Sequence, residues 1–209
     1  HIRYNSPEYI VKYAKYHYDK YKINFLYFLD ENLMTMDVFS RRTWLKEICR
    51  LWKEAGLVPK KKKDGTWDGI YWSGTSHATL CNPDVLKMMG EHGCTHLVYG
   101  YEHFDDRILK TMGKGSTRKT NLRSFFWTFE AGIRPIPNQI IGFPDEDFDS
   151  LRAQMNAWDD LGIQVKPHFA TAYPGSMWFT EYREKILEQY MGMGKKMGLT
   201  DDLEAYVVD

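Results

Sequence analysis

The sequence predicts an α/β fold, a partial (open) parallel β/α barrel in which about five βα units of a six-unit barrel are visible. Three observations carry this. Short apolar stretches begin near residues 23, 70, 95, 135 and 163, and each is followed by a segment of helical periodicity. Strands alternating with helices of this length build parallel βαβ units, and apolar strands of this kind suit a sheet covered by helices. Five units are too few to close an eight-stranded barrel of about 250 residues. A helical segment also comes first, with no strand ahead of it, so a piece of barrel is expected to be missing from the N-terminal side.

Each element has a local reason. Ser6-Pro7-Glu8 reads as N-cap, first-turn proline and first-turn acid, opening a helix in which Ile10, Val11, Ala14, Tyr18 and Tyr21 recur at helical spacing. Residues 23–29 form an apolar strand that ends abruptly in Asp30-Glu31-Asn32. A single helix is predicted over 36–55, with Trp44, Leu45, Ile48, Leu51 and Trp52 on its apolar side and Gly56 placed to stop it. Residues 58–69 read as a polar loop whose Lys60 to Lys63 run is a solvated tip. A short strand of mixed character starts at Ile70. Asn82-Pro83-Asp84 starts the next helix, residues 95–100 make a strand, and 104–112 a helix closing on Gly113-Lys114-Gly115. Thr117 caps a further helix, in which Phe125, Phe126, Trp127 and Phe129 are expected to pack against the sheet and neighbouring helices. Residues 135–143 and 163–171 are strands, 147–161 a helix, and 176–197 mostly helical.

Composition narrows the class. The 209 residues carry 28 Lys+Arg against 28 Asp+Glu. A nucleic-acid partner is not expected, because such proteins need a cationic surplus to displace counterions. No apolar run approaches the roughly 20 residues of a membrane span, and the opening residues, with no basic start followed by an apolar stretch, are not expected to act as a signal peptide. A cytoplasmic protein is expected. Cys49, Cys81 and Cys94 are irregularly spaced, as reduced, buried thiols would be.

In parallel α/β folds ligands bind at the carboxyl ends of strands. The polar residues there are Asp30, Glu31 and Asn32; Ser73, Thr75, Ser76 and His77; Glu102 and His103; Asp145 and Glu146; and His168, Thr171 and Tyr173. Gly74, Gly100 and Gly142 would let a ligand approach backbone. The four histidines at residues 77, 96, 103 and 168 lack metal-ligand spacing, and Gly113-Lys114-Gly115-Ser116-Thr117 lacks the phosphate-loop pattern.

The strings Ser6-Pro7-Glu8, FLDEN (28–32), VYGYEH (98–103), MGKGST (112–117), AGIRPIPNQIIGFPDE (131–146) and AYPGS (172–176) occur in this order. Together they resemble radical S-adenosylmethionine (radical SAM) enzymes, particularly the branch whose members often carry a cobalamin-binding domain. The resemblance implies that residues 1–209 are the catalytic barrel, with its first strand and CxxxCxxC cluster loop missing. It implies S-adenosylmethionine as cosubstrate, a four-iron four-sulfur cluster whose ligands lie outside this chain, and cobalamin as the further cofactor of that branch. By position, Asp30, Glu31 and Asn32 would hold the amino group of S-adenosylmethionine. Gly100 and Glu102 would bind its methionine part or ribose, with His103 departing from the usual serine. Ile140, Gly142 and the Asp145/Glu146 pair would flank adenine, and Thr171, Ala172 and Tyr173 would form the sixth-strand motif. His77, His103 and His168 are candidates for substrate contact; no residue is assigned the chemistry itself. The implied reaction is cleavage to a 5′-deoxyadenosyl radical, for hydrogen abstraction or cobalamin-linked methyl transfer on a small-molecule substrate, with flavodoxin or ferredoxin as electron donor.

Two other functions fit the residues read alone. One is a cofactor-independent aldolase or isomerase using Glu102, His103 and His168 for acid–base work. The other is a non-catalytic binding scaffold.

Overall fold

Ser6 opens the first helix as its sequence predicts, its hydroxyl oxygen accepting from the Tyr9 N–H of α1 (Pro7–Tyr21). The computed structural model describes residues 3–143, 146–163, 165 and 167–196. Lys22, in the left-handed region, closes α1 by donating its N–H to Tyr18, and β1 (Phe25–Tyr27) follows.

The helix predicted over 36–55 is two helices, α2 (Met34–Phe39) and α3 (Trp44–Glu54). Asp37 is the reason. Its buried carboxylate accepts from the Leu45 N–H and from Arg42 Nη1. A buried charge must find such donors, and reaching them puts Arg41 and Arg42 at φ 56° and 66°, outside any helix. The stretch predicted as a loop holds an antiparallel hairpin, β2 (Lys60–Lys61) with β3 (Trp67–Asp68). Its lysines are exposed, and Lys60 and Lys62 stand beside Asp68.

Next come β4 (Tyr71–Ser76), a 3-10 turn over Ala78–Leu80, and α4 (Pro83–Glu91), capped by the Asn82 side chain. β5 (Cys94–Glu102) is longer than its apolar core of 95–100. α5 (Asp106–Thr111) and α6 (Arg118–Glu130) are capped by Asp105 and Thr117, and β6 (Arg134–Ile141) follows. Asp147 caps α7 (Phe148–Asp159). Of the strand predicted over 163–171, the ordered ladder is β7 (His168–Phe169); residues 164 and 166 lie outside the described residues.

The sheet order is β1-β4-β5-β6-β7, and its five parallel strands curl into a half-barrel. Register joins Tyr27 to Ser73, Ser73 to His96 and His96 to Arg134 across four strands. Alternation then sends Trp72, Leu97, Tyr99 and Tyr101 to the opposite, helix-covered face, where all four are buried. Tyr99 and Tyr101 stack at 5.1 Å, and their hydroxyls meet Thr128 and Ser124 of α6. Phe125 is buried among them, whereas Phe126 and Phe129 are exposed rather than packed on the sheet.

The chain divides into two compact units, His1–His168 and Phe169–Asp209. In the second, the Ser176 hydroxyl caps α8 (Met177–Lys196) by accepting from the Phe179 N–H. No helix among the described residues is long and apolar enough to cross a membrane.

Candidate functional site

Because β1, β4, β5 and β6 run parallel, their carboxyl ends share one edge of the first unit. Asp30 and Glu31 are exposed after β1, and Asn32 is half-buried with its Oδ1 buried and unpartnered. The backbone there stays tied to β4, Leu33 N–H donating to Thr75 O.

The tip of β5 is built around Glu102. A bulge between Gly100 and Glu102 shifts the register against β6, and Glu102 adopts φ 59°. A left-handed non-glycine residue costs roughly 1 kcal/mol or more, and such strain gathers at functional sites. The conformation lays the carboxylate over its own strand: Oε1 accepts from Lys114 Nζ at 2.7 Å, with side-chain exposures of 24% for Lys114 and 11% for Glu102. A Cβ on Gly100 would run into Glu102 Oε1 and lie 2.8 Å from Lys114 Nζ. Gly100 therefore has no side chain because the ion pair occupies that space. His77, from the tip of β4, hydrogen-bonds to the Lys114 backbone. Burial first, and the Lys114 charge second, hold its imidazole below the ordinary range. Its Nδ1 also lies 2.8 Å from Thr79 Oγ1. Ser116, in the same loop as Lys114, has a buried hydroxyl without a partner.

His103 has a different position from the one expected at a substrate. It is fully buried, Nδ1 accepting from the Asp105 N–H at 2.8 Å and Nε2 lying 2.7 Å from Glu146 Oε1. Since Nδ1 accepts, the ring proton sits on Nε2 and is donated to Glu146. Glu146 Oε2 in turn accepts from the Gly142 and Phe143 N–H groups. The chain Glu102-His103-Glu146-Gly142 thus staples the β5 tip to the β6 tip. Ile140 is half-buried and Gly142, at φ 86°, exposed. Asp145 lies outside the described residues. His168 is exposed, and Thr171, Ala172 and Tyr173 belong to the second unit, where Tyr173 is 70% exposed.

Lys114 is the residue that motif reading left unassigned, although it stands inside the MGKGST string. Twelve residues separate it from Glu102, and only the turn after α5 brings it back.

The cysteines do not assemble a cluster site. Burial pushes the Cys49 thiol up to about 12 and Cys81 up to about 11, and raises Cys94 strongly. Iron–sulfur ligation needs thiolates. Among the described residues no group of three or more His, Cys, Asp or Glu could hold a metal ion.

The model of the Radical SAM superfamily matches residues 1–155, and the chain belongs to this superfamily. A protein named as an uncharacterized methyltransferase of Pyrococcus horikoshii is 32% identical over 108 residues, covering 51% of this chain and 24% of its own length. The bacteriochlorophyllide d C-12(1)-methyltransferase of Chlorobaculum tepidum is 28% identical over 152 residues, covering 66% and 33%. The chain therefore spans between a quarter and a third of the length of these relatives. Among solved structures, the radical S-adenosylmethionine methyltransferase TsrM of Kitasatospora setae, with cobalamin and a [4Fe-4S] cluster bound, superposes with a TM-score of 0.63 at 14% identity. It covers 79% of this chain and 31% of its own. The cobalamin-dependent S-adenosylmethionine radical enzyme OxsB gives 0.59 at 17% identity, covering 88% and 26%. At these identities the likeness shows the fold, the expected partial barrel.

Proposed function

We propose that this chain is the cosubstrate-binding core of a radical SAM enzyme, holding S-adenosylmethionine at the strand tips for cleavage to a 5′-deoxyadenosyl radical. The observation that carries this reading is the Glu102–Lys114 pair above Gly100. A free α-amino acid end presents an ammonium and a carboxylate side by side, and a carboxylate next to an ammonium is its complement. Glu102 would accept from the methionine ammonium while Lys114 turns to the carboxylate, both as charge-assisted hydrogen bonds. Asn32 Oδ1 and Ser116 Oγ, buried without partners, would satisfy polar groups of the nucleoside; left alone each costs about 1–3 kcal/mol. Asp30 and Glu31 add negative potential on the same edge, favouring a sulfonium cation. Ile140 and Gly142 would border the adenine.

In the superfamily an iron–sulfur cluster supplies the electron for this cleavage; the described residues offer it no ligand set, and what they do is bind and orient the cosubstrate. Relatives named methyltransferases favour methyl transfer, with cobalamin, over other outcomes, and a flavodoxin or ferredoxin would serve as electron donor. The aldolase or isomerase alternative has no support. It needs His103 free for proton transfer, and both ring nitrogens are engaged.

Titration calorimetry with S-adenosylhomocysteine tests the site. Binding by the wild-type chain, weakened about ten-fold or more by both Glu102→Gln and Lys114→Met, supports it. Wild-type affinity in both variants refutes it.

A further inference from the structure

Below the strand tips, the concave face of the sheet is lined with aromatic groups. Phe25 on β1 and His96 on β5 stack across the intervening β4, ring centroids 5.8 Å apart and planes 6° from parallel. Tyr27 shares that face, its hydroxyl 3.0 Å from Thr75 Oγ1, and Tyr71 is in register with Phe25. Phe25 and Tyr27 remain 43% and 40% exposed. Burial, with the Arg134 guanidinium adding to it, holds the His96 imidazole below its ordinary range, leaving it a neutral stacking surface at neutral pH. Between them in register, Ser73 is fully buried with a hydroxyl that has no partner. Arg134 continues the row beside His96, exposed and without an ion pair among the described residues.

Flat π faces, a hydroxyl and an unpaired guanidinium on one concave surface are a recognition set. Ligand sites combine apolar and aromatic walls with a few placed polar groups, aromatic rings prefer offset or edge contacts with other rings, and guanidinium matches carboxylate. From His96 to Gly100 is about 13 Å along β5 at about 3.3 Å per residue. A ring on this wall would therefore lie within one small molecule's length of the Glu102–Lys114 pair.

We propose that the wall of Phe25, Tyr27, Tyr71, Ser73, His96 and Arg134 is the substrate side of the site, and that the substrate class is a planar conjugated ring system bearing a carboxylate. The ring lies against Phe25 and His96, its carboxylate is held by Arg134, and Ser73 takes a polar edge atom. This rests on the strand tips being the cosubstrate site, since only then does the concave face below them receive the substrate.

The test titrates the chain with three probes by ligand-observed NMR: indole-3-propionate, tryptamine and cyclohexanepropionate. The first has ring and carboxylate, the second the ring with a cation, the third the carboxylate without a planar ring. Indole-3-propionate is expected to bind about ten-fold tighter than either other probe. Phe25→Ala and Arg134→Gln, both at exposed side chains, should each weaken it about five-fold or more. Equal affinity for the three probes, or indifference to both substitutions, overturns the proposal. S-adenosylhomocysteine is titrated separately on the same proteins and should bind all of them alike. Its failure to bind the wild type would sink the cosubstrate reading by itself, distinguishable from loss of ring-acid selectivity.

Discussion

Lys114 Nζ lies 2.7 Å from Glu102 Oε1, and the two charged groups fill the space where Gly100 would carry a side chain. A methyl group at residue 100 must therefore displace both charged ends from where they now sit. Gly100→Ala is expected to keep the fold, because its backbone lies outside the left-handed region, and to lower S-adenosylhomocysteine affinity about ten-fold. Calorimetry beside a thermal melt checks this. An alanine variant that binds like the wild type would mean that the pair is not the seat of the ligand.

The staple between β5 and β6 should be a stability element. His103→Ala removes the donor to Glu146 Oε1 from a side chain that is 5% exposed, and a buried charged acceptor left without that donor costs about 1–3 kcal/mol. Urea unfolding should show that loss. Amide exchange should rise at Gly142 and Phe143, whose N–H groups are held by the same carboxylate. Unchanged exchange there would argue that Glu146 is positioned without His103.

Stability should fall with acidification in a defined window. The folded-state pKa of His77 lies below its ordinary 6.5, through burial first and then Lys114; His96 is lowered by burial and Arg134. Above about pH 7 both imidazoles are neutral whether folded or not, and their contribution is fully present. As pH drops through 6.5 the unfolded chain takes up protons first, so the folded state loses ground until its own lower pKa is reached. Melting temperature should decline between about pH 7 and pH 5, with a shallower decline in His77→Gln and shallower still with His96→Gln added. A slope untouched by the double substitution would show that other groups set it.

The thiols should be slow. Cys49, pushed up to about 12, and Cys94, raised well above its ordinary range by burial, should react with a disulfide reagent only on unfolding, and Cys81 slowly before that. Iron and sulfide added to this chain should give no cluster absorption. A stable chromophore on the isolated chain would show a ligand set that the described residues do not contain.

Much of this was legible in one dimension. Ser6 and Thr117 cap the helices they were expected to cap, and Asn82 caps the helix it was expected to start, since a cap is a contact over two or three residues. The alternation of apolar strands and amphipathic helices specified a one-sided parallel sheet. The break at 40–43 was not legible, because Asp37 finds Leu45 and Arg42 only after the chain has turned. Nor was the hairpin of β2 and β3, whose lysines look like a solvated tip and are equally at home on an exposed two-stranded ribbon.

The order of motifs, the caps and the glycines and acids at several strand ends are local chemistry, and the sequence by itself determined them: the superfamily, the partial barrel and the edge shared by the strand tips. Which polar groups stand presented at that edge was decided only by the tertiary structure. His103 and Glu102 are neighbours in the chain, yet one is consumed holding two strands together and the other is presented with Lys114 over a bare glycine. The difference comes from partners 43 and 12 residues away. Burial and hydrogen-bond pairing are properties of the folded surroundings, and residue type at a strand tip does not encode them.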